Sequence, residues 1–194
     1  MASTDNLDTI YRKHENILDL IPVVRRREFS ILTQPAKSLK SFSLFRRGCD
    51  ERYISFVVMG VLEALEYIHG HEKLVHGNIN LNNVFLDKDC NAKLKSPLTK
   101  SCEIKDQKTD IQMVGELALS LFNGKSGFKF GIGCVSGCTR KKDDGFEVED
   151  FARFCLNPLR TPTLREVKNH DFFKEFGKFD QYREKLKHRL QKKL

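Results

Sequence analysis

Between Tyr53 and His69 the apolar residues Ile54, Val57, Val58, Val61, Leu62, Leu65 and Ile68 fall three or four positions apart. That spacing lines them along one side of a helix about four turns long. A stripe this continuous must be covered over its whole length, which commits the chain to a packed core. Gly70 supplies the stop. A second stripe, Ile111, Val114, Leu117, Ala118 and Leu121, follows in a helix starting near Asp110 and stopping at Asn123-Gly124. It is apolar enough to be central. Further helices are expected over residues 147–156 and 163–170, the latter opened by Thr163 with Glu166 three residues on, a capping box.

Shorter apolar runs fill the rest. Residues 17–21 and 29–32 flank the polar turn Arg25-Arg26-Arg27-Glu28 and read as a hairpin. Residues 73–75, 84–86 and 92–94 read as small strands, and 125–145 as a glycine-rich loop. The expected class is α+β, predominantly helical, a small hairpin followed by a helical body.

Composition narrows the function classes. With 40% hydrophobic and 31% charged residues, the 194-residue chain is an ordinary one-domain globular sequence. No apolar run is long enough for a membrane span, and the first residues lack the layout of a secretory signal, so a cytoplasmic or nuclear location is expected. Six cysteines, Cys49, Cys90, Cys102, Cys134, Cys138 and Cys155, are expected to be free thiols. A zinc site at Cys134 and Cys138 would need two further ligands, and no CxxC or HxxxH partner is visible. The net charge of +8 is weighted toward residues 174–194, with Lys174, Lys178, Arg183, Lys185, Lys187, Arg189, Lys192 and Lys193. Such a tail can attract RNA or an acidic membrane, though more often it is the solvated face of a terminal helix. His69 and His71, flanking Gly70, are expected to be solvated. Phe172, Phe173, Phe176 and Phe179 have the spacing of packing residues.

Several stretches, in order, resemble the protein-kinase family. Val75-His76-Gly77-Asn78-Ile79-Asn80-Leu81-Asn82-Asn83-Val84-Phe85-Leu86 is similar to the catalytic loop, H-R-D-L-K-P-x-N-I-L. The strand Ala92-Lys93-Leu94 follows, as it does before the family's D-F-G. Asp110 with Gly115 resembles the opening D-x-W-S-x-G of the central helix. Residues 155–163 resemble C-L-x-x-D-P-x-x-R-P-T, Asn169-His170-Asp171-Phe172-Phe173 resembles N-H-P-F-F, and His14-Glu15-Asn16-Ile17 resembles H-P-N-I. The resemblance implies a kinase-like large lobe with a truncated small-lobe hairpin. Residues 1–35 would be the small-lobe remnant (the end of an αC-like helix and a hairpin), 36–173 the large lobe, and 174–194 a basic C-terminal helix. His76, Asp110 and Arg160 would be structural.

Departures from the pattern fall on the chemistry. Phosphoryl transfer depends on positioning and charge neutralisation. Asn78 stands where the family has its aspartate base, and an amide has no useful basicity near neutral pH. Asn80 replaces the lysine that meets the transferred phosphate, and Ser96 replaces the metal-binding aspartate of D-F-G. Asn83, the metal-binding asparagine, is retained, though it can equally close a turn. No G-x-G-x-x-G loop and no V-A-I-K lysine occur in these residues; the αC glutamate would fall near Asp5. The stretch from Ser96 to Asp110 is short for an activation segment, no A-P-E occurs, and Arg160 loses its usual partner.

The expected function is therefore a catalytically inactive kinase-like domain acting as a protein-interaction or regulatory module, not an enzyme, with no cofactor. The alternatives are a residual switch binding ATP with magnesium, or an atypical serine/threonine kinase. The clipped activation segment and basic tail also resemble the kinase-homology region of the kinase-ribonuclease group that includes the 2-5A-dependent ribonuclease, which would imply an RNA-linked role. An open edge on the hairpin predicts another protein or self-association as partner.

Overall fold

The computed structural model describes residues 14–18, 20–25, 28–33, 36–42, 49–96, 107–124, 147–175 and 179–191. Within them the chain is α+β and mainly helical. The strands are β1 (Ile17–Leu18), β2 (Leu20–Arg25), β3 (Glu28–Thr33), β4 (Ala36–Ser38), β5 (Val84–Asp87) and β6 (Ala92–Lys95). The helices are α1 (Glu51–Gly70), α2 (Gln107–Asn123), α3 (Glu147–Cys155), α4 (Leu164–Lys168), α5 (Asp171–Glu175) and α6 (Phe179–Gln191), with a 3-10 turn at Leu39–Ser41.

α1 is the spine, and all seven stripe residues, Ile54 to Ile68, are buried. At about 1.5–3 kcal/mol for each fully buried aliphatic side chain, this stripe supplies a large part of the driving force for folding. Asp50, just before α1, caps it by accepting the Arg52 backbone N–H at 3.0 Å. Glu51 in the first turn accepts the Val148 N–H at 2.9 Å and so also caps α3. α2 begins at Gln107, one turn before the expected start, which leaves Asp110 inside the first turn.

Close backbone approach shapes two contacts. A Cβ on Gly60 would lie 2.9 Å from the Ala92 Cβ, so α1 sits directly on β6. One on Gly115 would lie 2.8 Å from the Cys155 Cβ, which lets α2 and α3 pack closely.

Two sheets form, a four-stranded one ordered β1-β6-β5-β4 and the two-stranded β2-β3. β1 runs parallel to β6, tied in by the Asn16 side chain donating to the Ala92 carbonyl at 3.0 Å and the Leu94 N–H donating to the Asn16 carbonyl at 2.7 Å. The expected hairpin forms as β2 and β3, with Arg25 and Glu28 paired as strand residues rather than turn residues; Arg26 and Arg27 lie outside the described residues, and Ile17 and Leu18 join the other sheet.

Residues 73–75 do not form the expected strand. Lys73 has φ 55°, and the Leu74 N–H bonds back to the Ile68 carbonyl at 3.2 Å, so this segment turns the chain off α1. The expected helix over 163–170 stops at Lys168; its capping box is present, with Thr163 Oγ1 accepting the Glu166 N–H and Glu166 accepting the Thr163 N–H. Lys168 reaches α1, bonding Glu63 at 2.9 Å and Glu66 at 2.5 Å. The glycine-rich loop, Asp5, Cys102, Cys134, Cys138, Phe176, Lys178, Lys192 and Lys193 lie outside the described residues. No helix among the described residues is long and apolar enough to cross a membrane.

Candidate functional site

The loop from His71 to Asn83 joins α1 to β5 and passes over the start of α2. Its first half converges on Asp110. This carboxylate is wholly buried (0% exposed) and accepts three hydrogen bonds. The His76 N–H reaches Oδ2 at 2.8 Å, the Gly77 N–H reaches Oδ1 at 2.7 Å, and His69 Nε2 reaches Oδ2 at 2.8 Å. Burial opposes the charged form, but the bonds from His69, Gly77 and His76 outweigh it and hold the Asp110 carboxyl below its ordinary range. Facing an ionised carboxylate, His69 Nε2 is the donor. Gly77 turns the loop here with φ 68°, a backbone form that suits glycine.

His76 sits beside this hub, buried, with Nε2 2.7 Å from the Lys95 carbonyl and Nδ1 3.2 Å from the Asn78 N–H. A carbonyl can only accept and an N–H can only donate, so the ring carries its proton on Nε2. Burial pushes its pKa down, which keeps the ring neutral and this tautomer intact. The bond also fixes the end of β6, immediately before Ser96.

The second half of the loop is built differently. Asn78 is exposed, and its Oδ1 accepts from Asn80 Nδ2 at 2.6 Å. Asn80 Oδ1 accepts the Asn82 N–H at 2.9 Å, and Asn83 Nδ2 donates to the Asn78 carbonyl at 2.9 Å. These amides close a turn on one another. Ser96 follows Lys95, whose N–H bonds the Asn83 carbonyl at 2.9 Å, and the described residues stop there until Gln107. No cluster of three or more histidine, cysteine or acidic side chains able to hold a metal occurs among the described residues. A magnesium ion across phosphates wants charged oxygen ligands. The Asn83 amide and the Ser96 hydroxyl are both neutral and do not supply that charge.

One expectation needs correction. His69 is not solvated: it is buried against Asp110, whereas His71 is exposed. The Arg160 guanidinium pairs with Glu166, and its N–H bonds Asn157 Oδ1 at 3.3 Å. That pair joins the capping box to the turn after α3. The His69 position was readable, since it lies four residues after Leu65 and seven after Leu62 and so continues the buried stripe.

The thiols that are described are buried and unreactive. Burial pushes Cys49 up to about 12, Cys90 to about 11 and Cys155 to about 12, and all three are free. The basic tail is docked as α6. Leu186 is buried, Lys187 bonds Asp89 at 3.2 Å, Arg183 bonds Asn91 at 3.2 Å, and Arg189 lies 5.7 Å from the Tyr53 ring centroid. Phe172 and Phe173 are buried and pack on the Phe151 ring at 5.1 Å and 5.2 Å. No protein-family model matches this sequence. No curated protein matches it either.

Proposed function

We propose that this chain is a kinase-like large lobe stripped of phosphoryl-transfer chemistry, working as a protein-interaction or regulatory module. The observation that carries the reading is a contrast within one loop. Asp110 clamps the backbone of His76 and Gly77, which is the structural role the resemblance implies for it. The next residue is Asn78, an exposed amide where a base is needed, followed by Asn80 and Asn83 bonded within the loop. The frame that would hold a catalytic loop is kept, and the groups that would act on a phosphate are not. A rigid loop without a base or a charged metal ligand can present a surface but cannot orient a hydroxyl nucleophile or neutralise a leaving phosphate.

Thermal unfolding with and without millimolar ATP and magnesium tests this reading. A ligand at a hundred times its dissociation constant stabilises by about 2.7 kcal/mol. For a domain of this size that is a shift of roughly 5–10 °C. The expected result is a cooperative melt that does not move. A magnesium-dependent rise, followed by phosphate transfer to a protein substrate, would replace the module with a nucleotide switch or a kinase.

A further inference from the structure

The two outer edges of the β2–β3 sheet are not equivalent. Only Arg26 and Arg27 connect the strands, so Arg25 and Glu28 are the closing pair, and in a two-residue hairpin that pair exchanges both backbone hydrogen bonds. The bonded pairs are then Arg25 with Glu28, Val23 with Ser30, and Ile21 with Leu32. The pairs between them, Val24 with Phe29, Pro22 with Ile31 and Leu20 with Thr33, turn their N–H and C=O groups outward. Pro22 agrees with this phase, because a residue with no N–H fits where the ladder asks for none. The β2 edge thus carries Leu20, Pro22 and Val24, with its middle donor gone. The β3 edge carries Phe29, Ile31 and Thr33, each with donor and acceptor. Among the described residues no strand pairs with either edge.

We propose that the β3 edge pairs with the β3 edge of a second copy of this chain, antiparallel about a two-fold axis at Ile31. In that register Ile31 faces Ile31 of the second copy, and Phe29 faces its Thr33. Every outward N–H and C=O of both strands is then satisfied. Pairing β3 against the β2 edge leaves a carbonyl facing Pro22 without a donor, so the self-pairing is the better match. The combined sheet, β2-β3-β3-β2, ends on a proline edge at each side and cannot grow into a fibre.

Charge permits the same register. The two Glu28 residues are six positions apart along the paired strands, about 20 Å at 3.3 Å per residue, and the basic turns lie farther apart still. Both separations exceed the Debye length of about 8 Å at physiological salt. A two-stranded sheet is marginal alone, and four strands are not. The pairing uses backbone positions only and does not depend on the kinase-like reading. A dimer with no nucleotide effect and a nucleotide effect with no dimer are separate results.

Light scattering on the size-fractionated full chain, from micromolar to a few hundred micromolar, is the test. The mass should rise toward twice the 22.5 kDa of one chain. Ile31→Pro removes the middle donor of the β3 edge while sparing every bond inside the hairpin. Ile31→Lys sets a charge against its own copy at the two-fold. Both should return the mass to one chain without lowering the melting temperature of the dilute protein. If the proline variant unfolds, the lysine variant decides. A wild-type chain that stays at single-chain mass throughout, or an Ile31→Lys chain that still doubles, overturns the proposal. So does a chain that is monomeric alone and takes an unrelated extended peptide on this edge.

Discussion

The two halves of the loop from His71 to Asn83 differ in what holds them. His76 and Gly77 hang from a buried carboxylate anchored in α2 and bonded to α1 through His69. Asn78 to Asn83 hold one another, half in solvent, through neutral amide bonds. The first half costs the fold dearly if broken; the second costs little. The two kinds of anchoring lie within the eight residues from His76 to Asn83, and each half can be struck independently.

The largest effect is expected at the hub. Asp110→Ala leaves the buried His76 N–H, the part-buried Gly77 N–H and the buried His69 ring without their acceptor. Removing one partner of a buried charged network costs about 3–5 kcal/mol. For a chain of this length that lowers the melting temperature on the order of 10 °C. Differential scanning calorimetry checks it. A loss under 1 kcal/mol would mean the hub is not what holds the loop, and the comparison would collapse.

Acid should loosen the same half, by less. Burial disfavours the imidazolium and holds the folded pKa of His76 below the ordinary histidine value of 6.5. As pH falls below that value the unfolded chain takes up a proton that the folded ring refuses, so stability drops. Above it His76 contributes no slope. Asp110 adds a second loss only lower, since its folded value is under 3.8 and its stabilisation is complete above that pH. Urea unfolding at neutral pH and near pH 5.5 should therefore show a lower midpoint in acid. His76→Gln should flatten the difference, and an unchanged slope in that variant would assign the acid loss to other groups.

Much of this was legible in the sequence and some was not, for physical reasons. Helical stripes report burial, so α1 and α2 stand out from Ile54 to Leu121. The capping box at Thr163 and Glu166 is a local pairing, and local pairings show in local sequence. The hub is a long-range object: Asp110 is 41 residues from His69, and no local rule links them. The reading of Asp110 and His76 as braces came from the resemblance, while His69, lying on the buried stripe, was misread because it flanks a glycine at a helix end. The segment at residues 73–75 failed for a related reason. Its apolar residues suit a strand, but the chain there must leave α1 and reach Asp110, and tertiary demand overrode local preference. Docking of α6 was only half hidden: Tyr182, Leu186 and Leu190 fall four apart and pack inward, but the polar partners Asp89 and Asn91, reached by Lys187 and Arg183, are about a hundred residues away.

The smallest effect is expected from Asn78→Asp, which places a carboxylate where the proposed kinase-like reading would put the base. Asn78 is exposed, and its Oδ1 only accepts, from Asn80 Nδ2 at 2.6 Å; a carboxylate oxygen accepts the same bond. Stability should move by less than about 0.5 kcal/mol, as for most surface substitutions. Phosphate transfer should stay at background, because a base alone neither neutralises the phosphates nor holds a metal, and Asn80 and Ser96 are unchanged. The measurement is a radiolabelled phosphate assay beside a melt of the same sample. A silent, stable variant leaves the contrast between the two loop halves standing. A stable variant that transfers phosphate would show that the second half is a catalytic loop one residue short, and the reading of this chain as an interaction module would have to go.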